Sequence, residues 1–126
     1  MKSSFWKYQL KYWLPVYIYL ILIFIISSQP SGDIGDYVHK TFFLGQALQH
    51  LGAYTLLGLL LYRALEHTKS TSKLLVILIT TLYGLLIEIN QHFTPGRSFE
   101  LMDILMNFLG AVLSLVLISA YRMFKK

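Results

Sequence analysis

Between Tyr83 and Gly110 the chain reads YGLLIEINQHFTPGRSFELMDILMNFLG, which sets Glu88, Gln91, His92, Arg97, Asp103 and Asn107 into and around two of its most apolar runs. A charged side chain near the centre of a bilayer costs roughly 2.5–3.5 kcal/mol on insertion scales, so such residues mark a site by default. A fold for this sequence has to bury these groups while leaving the apolar residues beside them in a medium they tolerate.

Composition identifies that medium. The chain is 56% hydrophobic and 13% charged, with a mean hydropathy of +0.57, more apolar and less charged than a soluble domain. It reads as an integral membrane protein. Its 126 residues hold about four spans of ~20 residues with short loops, as one all-α bundle over residues 1–126 with no separate soluble domain. The net charge of +5 does not point to nucleic acid, because the basic residues flank apolar runs and serve as topology signals. Cysteine is absent, so disulfides, thiolate catalysis and Cys-ligated metal are excluded.

The first span is expected over residues 12–28, with Pro15 in its first turns, where a missing N–H matters least. The basic and aromatic residues ahead of it fit a membrane interface. The run has no small-x-small cleavage pattern and is kept as a helix rather than a signal peptide. A Gly- and Pro-containing loop carries Asp33, Asp36, His39 and Lys40, whose carboxylates read as solvated. The second span, residues 43–65, puts His50, Tyr54 and Gly58 on one helical stripe with Ala53 and Leu57 beside it. A polar connection containing His67, which is given no role, leads to the third span, residues 74–93. Its polar side is Thr81, Gly84, Glu88 and Gln91. Glu88 lies roughly 8 Å inside the end of this span, too deep for a cap. Thr94-Pro95-Gly96-Arg97 is a turn that holds the Arg97 donor fork between the third and fourth spans. The last span, residues 101–121, repeats Asp103, Asn107, Gly110 and Ser114 on one face.

Lysines and arginines concentrate at both ends of the chain and in the second loop, so both termini are expected to be cytoplasmic. On that topology His50 and Tyr54 begin the second helix, Glu88 and Gln91 end the third, and Asp103 and Asn107 begin the fourth, all at the outer face. Taken singly, each polar residue reads as interhelical glue at about 0.6 kcal/mol. Their agreement in level reads as one site. His50, Glu88 and Asp103 are its candidate catalytic groups, and Tyr54, Gln91, Arg97 and Asn107 its candidate binding groups. Two carboxylates in low dielectric do not readily both ionise, so Glu88 and Asp103 can share a proton as acid and base, with His50 working nearer neutral pH. Arg97, with Lys40 as a second cation, suits an anionic head group. His50, Glu88, His92 and Asp103 are competent metal ligands, but no HExxH-type pair is present and no metal is assigned. Ser98 lacks a Gly-x-Ser-x-Gly context.

The ordered set H50-x3-Y54, E88-x2-Q91-x3-P95-G96-R97 and D103-x3-N107-x2-G110, with Ser27-Ser28-Gln29-Pro30 after the first helix, resembles the VanZ-like family of small bacterial membrane proteins. The likeness runs from about Ile26 to Gly110. It implies a helical bundle in the bacterial plasma membrane, crossing it several times, in a family named for a protein associated with resistance to the glycopeptide teicoplanin. Members often carry an acidic residue four positions before the histidine, where this chain has Gln46. The function expected is binding or modification of an outer-leaflet envelope lipid, wall precursor or head group. A non-enzymatic binding or scaffold protein is the second reading. A small proton-coupled multidrug exporter is the third, and it is disfavoured because the first helix carries no acid.

Overall fold

In a computed structural model, the protein is described over residues 2–30, 43–66 and 73–126. The loop residues Asp33, Asp36, His39 and Lys40, and His67 in the next connection, lie outside the described residues. Those described form helices and turns, with no strand among them.

The first rod is longer than the sequence suggests. It begins at Lys2 as α1 (Lys2–Tyr8), passes through a π-helical segment at Gln9–Trp13 and continues as α2 (Leu14–Ser27). Pro15 is therefore internal to a continuous rod rather than in its opening turn. A proline inside a helix has no N–H to give to the carbonyl four residues back, and its ring crowds that carbonyl. The wider π turn just ahead of Pro15 is where the rod absorbs this misfit. Then follow α3 (Phe43–Glu66), α4 (Lys73–His92) and α5 (Leu101–Phe124).

Among the described residues, three helices are long and apolar enough to cross a membrane: Lys2–Ser27, Lys73–His92 and Leu101–Phe124. α3 matches them in length, with 24 residues, but its glutamines, His50, Arg63 and Glu66 dilute its apolar content. It is also the best-covered helix. α3 makes its most extensive contact with α5, α4 packs next against α5, and α2 closes on α3 with slighter contact to α4. Tyr54, Leu57, Leu61 and Ala64 of α3 form the centre of the apolar core, joined by Val16, Val76 and Leu115 from the other helices.

The remaining surface is distributed as lipid solvation requires. Leu74, Leu78, Leu82 and Leu86 form an exposed stripe down α4, while Thr80, Gly84, Glu88 and Gln91 of the same helix are buried. On α5 the buried face is Asp103, Asn107, Gly110, Ala111, Ser114 and Leu115, with Leu105, Leu109, Val116 and Leu117 outside. A bundle with polar groups within and aliphatic groups without is stable in lipid. Close approach of α3 to α5 requires a glycine at one point. A Cβ on Gly110 would lie 2.8 Å from Leu51 O and 2.9 Å from Thr55 N, both of them backbone atoms that cannot swing aside.

The end of the bundle away from Glu88 is fixed by a different chemistry. Tyr8 Oη donates to Ala64 O at 2.6 Å, Arg122 pairs with Glu66, and the Arg63 and Arg122 guanidinium groups lie 5.2 Å from the ring centroids of Tyr12 and Tyr62. Cations stacked on tyrosines are at home at a membrane interface.

Candidate functional site

Near the start of α3, spacing by four puts Gln46, His50 and Tyr54 on one inward stripe. The His50 and Tyr54 rings lie parallel within 4°, with centroids 6.2 Å apart. The start of α5 brings Asp103 and Asn107 to the same level. His50 Nε2 stands 3.4 Å from Asp103 Oδ2, and His50 Nδ1 is hydrogen-bonded to Asn107 Oδ1 at 3.0 Å. Gln46 Nε2 donates to Asp103 Oδ2 at 3.0 Å. The residue that departs from the family pattern thus supports the carboxylate, and the acid facing His50 comes from another helix.

Glu88 arrives from the end of α4 and is fully buried. Its Oε2 accepts the Glu100 backbone N–H at 3.3 Å, while Oε1 has no hydrogen-bond partner among the described residues. One ligand atom each from His50, Glu88 and Asp103 lie within 4.8 Å of one another. The three candidate catalytic groups are therefore brought together. His92, a competent metal ligand by residue type, is exposed and packs edge-on against Phe93, away from this cluster.

The turn between α4 and α5 sets the distance that lets this happen. Arg97 N donates to Thr94 O at 3.1 Å, with Pro95 and Gly96 as the two central residues and Gly96 at φ 74°. Proline at the first central position and a glycine with positive φ at the second are the requirements of a type II turn. Arg97 is half-buried, and its Nε donates to Gln29 O at 3.2 Å, while Asn90 Nδ2 donates to Ser28 Oγ at 2.8 Å. The Ser-Ser-Gln-Pro stretch after α2 is thereby tied to the end of α4 and its turn.

Beside the cluster is a cavity of about 710 Å³. Gln46, His50, Tyr54, Gln91 and Arg97 give it a polar side, and Tyr19, Leu22, Ile23 and Ile26 of α2 give it an apolar one. A large apolar space with a few convergent polar groups is the usual form of a small-molecule or lipid site. Glu88, Asp103 and Asn107 are not among its lining residues. Asp103 is joined to it through Gln46 and His50, which contact the cavity and the carboxylate alike.

Sequence reasoning places no polar role on α2. Tyr19 nonetheless lines the cavity and donates from Oη to Ala53 O at 2.9 Å. A signal for Gln46 does exist, since it precedes His50 by one helical turn. Nothing in the sequence singles out Tyr19 among the tyrosines of its helix.

The family model described as VanZ/LLP1 matches residues 12–124. The chain belongs to the VanZ/LLP1 family. No curated protein and no solved structure matches it. The VanZ/LLP1 match takes in α2 to α5, and so every residue of the cluster and of the cavity wall. With the exposed aliphatic faces of its three long apolar helices, membership makes this chain a VanZ-like membrane protein.

Proposed function

We propose that this VanZ-like protein acts on the bacterial cell envelope by binding the anionic head group of an outer-leaflet lipid or lipid-linked wall precursor, and by altering it chemically where turnover occurs. The observation that carries the reading is the pairing of one cavity with two kinds of wall: aliphatic side chains of α2 suited to an acyl chain, and His50, Gln91 and Arg97 suited to a head group. In this reading all four long helices span the plasma membrane, both termini are cytoplasmic, and the cavity opens toward the outer leaflet. Arg97 supplies a planar fork for phosphate or carboxylate. His50 lines the cavity and connects a bound molecule to the Asp103 carboxylate behind it. A change in envelope lipid or precursor that lowers glycopeptide binding connects this activity to the family's association with teicoplanin resistance.

The test compares the lipids of cells carrying wild-type protein, Arg97→Ala or His50→Gln by mass spectrometry, at matched membrane levels. A lipid species that depends on wild-type protein and is lost in both variants supports head-group modification. Lipid profiles identical in cells with and without the protein remove the catalytic part. Co-purification of an envelope lipid with wild-type protein, lost in Arg97→Ala, then supports binding without turnover.

A further inference from the structure

Three side chains able to ligate a metal, His50, Glu88 and Asp103, converge at the meeting point of α3, α4 and α5. With its ring proton on Nδ1, His50 donates to Asn107 Oδ1 at 3.0 Å. In the neutral imidazole Nε2 is then a lone pair, and it faces Asp103 Oδ2 at 3.4 Å. That separation exceeds the 2.7–2.9 Å of a charge-assisted hydrogen bond. Asp103 Oδ2 already accepts a hydrogen bond from Gln46. Glu88 contributes the third acceptor: its Oε2 is committed to the Glu100 amide, and its buried Oε1 has no hydrogen-bond partner among the described residues.

Lone pairs brought together in a low-dielectric interior repel unless a proton or a metal cation lies between them, and buried carboxylates are paired or coordinate metals. We propose that His50, Glu88 and Asp103 bind a single divalent transition-metal ion of the zinc or manganese class between α3, α4 and α5. Ligand atoms within 4.8 Å of one another leave a central point within about 2.8 Å of each, a small side-chain adjustment from the 2.0–2.2 Å of zinc to imidazole and carboxylate. One nitrogen and two carboxylate oxygens form a donor set for zinc, manganese or iron, and two carboxylates match the charge of a divalent ion. Magnesium fits less well, because it prefers oxygen donors and retains several waters.

The neighbouring contacts have the form of an outer shell. A ligating histidine usually passes its other ring N–H to an acceptor that fixes its tautomer, and a ligating carboxylate is itself hydrogen-bonded. Asn107 does the first for His50 and Gln46 the second for Asp103. The sequence offers His50, Glu88, His92 and Asp103 as competent ligands, and the structure brings the first, second and fourth together while His92 packs against Phe93. The inference concerns the same region as the head-group reading but stands independently of it, because the metal is measured with no envelope lipid present.

The experiment uses full-length protein in detergent micelles, stripped with chelator, dialysed against Zn²⁺ in the presence of excess Mg²⁺, and analysed for bound metal. Wild-type protein and His92→Gln should each retain one equivalent, while Glu88→Gln and Asp103→Asn should fall to background. Asn107→Ala should still saturate at one equivalent with affinity lowered on the order of 10–100-fold. X-ray absorption of the zinc-loaded wild type should show one imidazole with oxygen donors, which keeps the proposal testable even if a variant fails to fold. Background metal in folded wild-type protein, uptake unchanged by Glu88→Gln and Asp103→Asn, or two or more imidazoles at the metal would each overturn it.

Discussion

His50 on α3 and Asp103 on α5 face one another at 3.4 Å, and each is held from behind by an amide side chain, Asn107 for the histidine and Gln46 for the carboxylate. The Gln46–Asp103 and His50–Asn107 hydrogen bonds tie the two most closely packed helices together at the level of the cluster. Removing the carboxylate leaves the Gln46 Nε2 donor without this acceptor, and a lost partner of that kind typically costs about 1–3 kcal/mol. Asp103→Ala should therefore lower stability in a denaturant titration in micelles by that order. Asp103→Asn, which retains an acceptor oxygen, should lose less. Equal stability of Asp103→Ala and wild type would mean that the Gln46–Asp103 bond does not hold the helices.

Two glycines of the α3 and α5 pair give opposite expectations. Gly110→Ala places a methyl group against the backbone of Leu51 and Thr55 and must push the helices apart. A loss of about 1–3 kcal/mol is expected from such overpacking. Gly52 is exposed, with nothing within 4 Å of an added Cβ, so Gly52→Ala should stabilise α3 by roughly 0.5–1 kcal/mol through helix propensity. Melting temperatures of the two proteins, measured side by side, should move in opposite directions.

Tyr54 separates stability from function. Its hydroxyl is buried without a hydrogen-bond partner among the described residues, yet the side chain contributes to the cavity wall. Deleting a hydroxyl that makes no bond should leave stability unchanged or raise it by up to about 1 kcal/mol. If the hydroxyl serves a bound head group, Tyr54→Phe should weaken lipid retention by the purified protein while its melting temperature holds or rises. A fall in melting temperature would instead assign the hydroxyl a structural bond.

Absence of cysteine makes the proposed topology directly readable. Single substitutions Ser98→Cys, Lys73→Cys and Lys126→Cys place one thiol each near exposed positions. With a membrane-impermeant maleimide on intact cells, Ser98→Cys should label, and the other two only after permeabilisation. Labelling of Lys73→Cys from outside would contradict a spanning α3, the helix whose polar content keeps it from the apolar class of the other three.

The helical faces are legible in the sequence, because residues three and four apart share a side whatever the helix packs against. Asp103, Asn107, Gly110 and Ser114 are all buried, as are Glu88 and Gln91, in keeping with that spacing. On α4 the pattern is one position out for threonine: Thr80 is fully buried and Thr81 only partly. Local pattern also misses the start of the first rod, since the aromatic and basic residues before Pro15 fit an interface segment as well as the helix they form.

The sequence by itself determined the membrane class, the all-helical architecture and the sides of α3, α4 and α5 that turn inward, because hydrophobicity and periodicity are local properties. Partnership was decided only by the tertiary structure. The acid that faces His50 is Asp103 of a different helix, Gln46 supports that acid, and Glu88 lies in the cluster rather than on the cavity wall. A helix carries no record of its rotation and axial offset against a neighbour. Those are set where backbones meet, at contacts such as Gly110 on Leu51 and Thr55, and they dictate which polar atoms come within reach of one another.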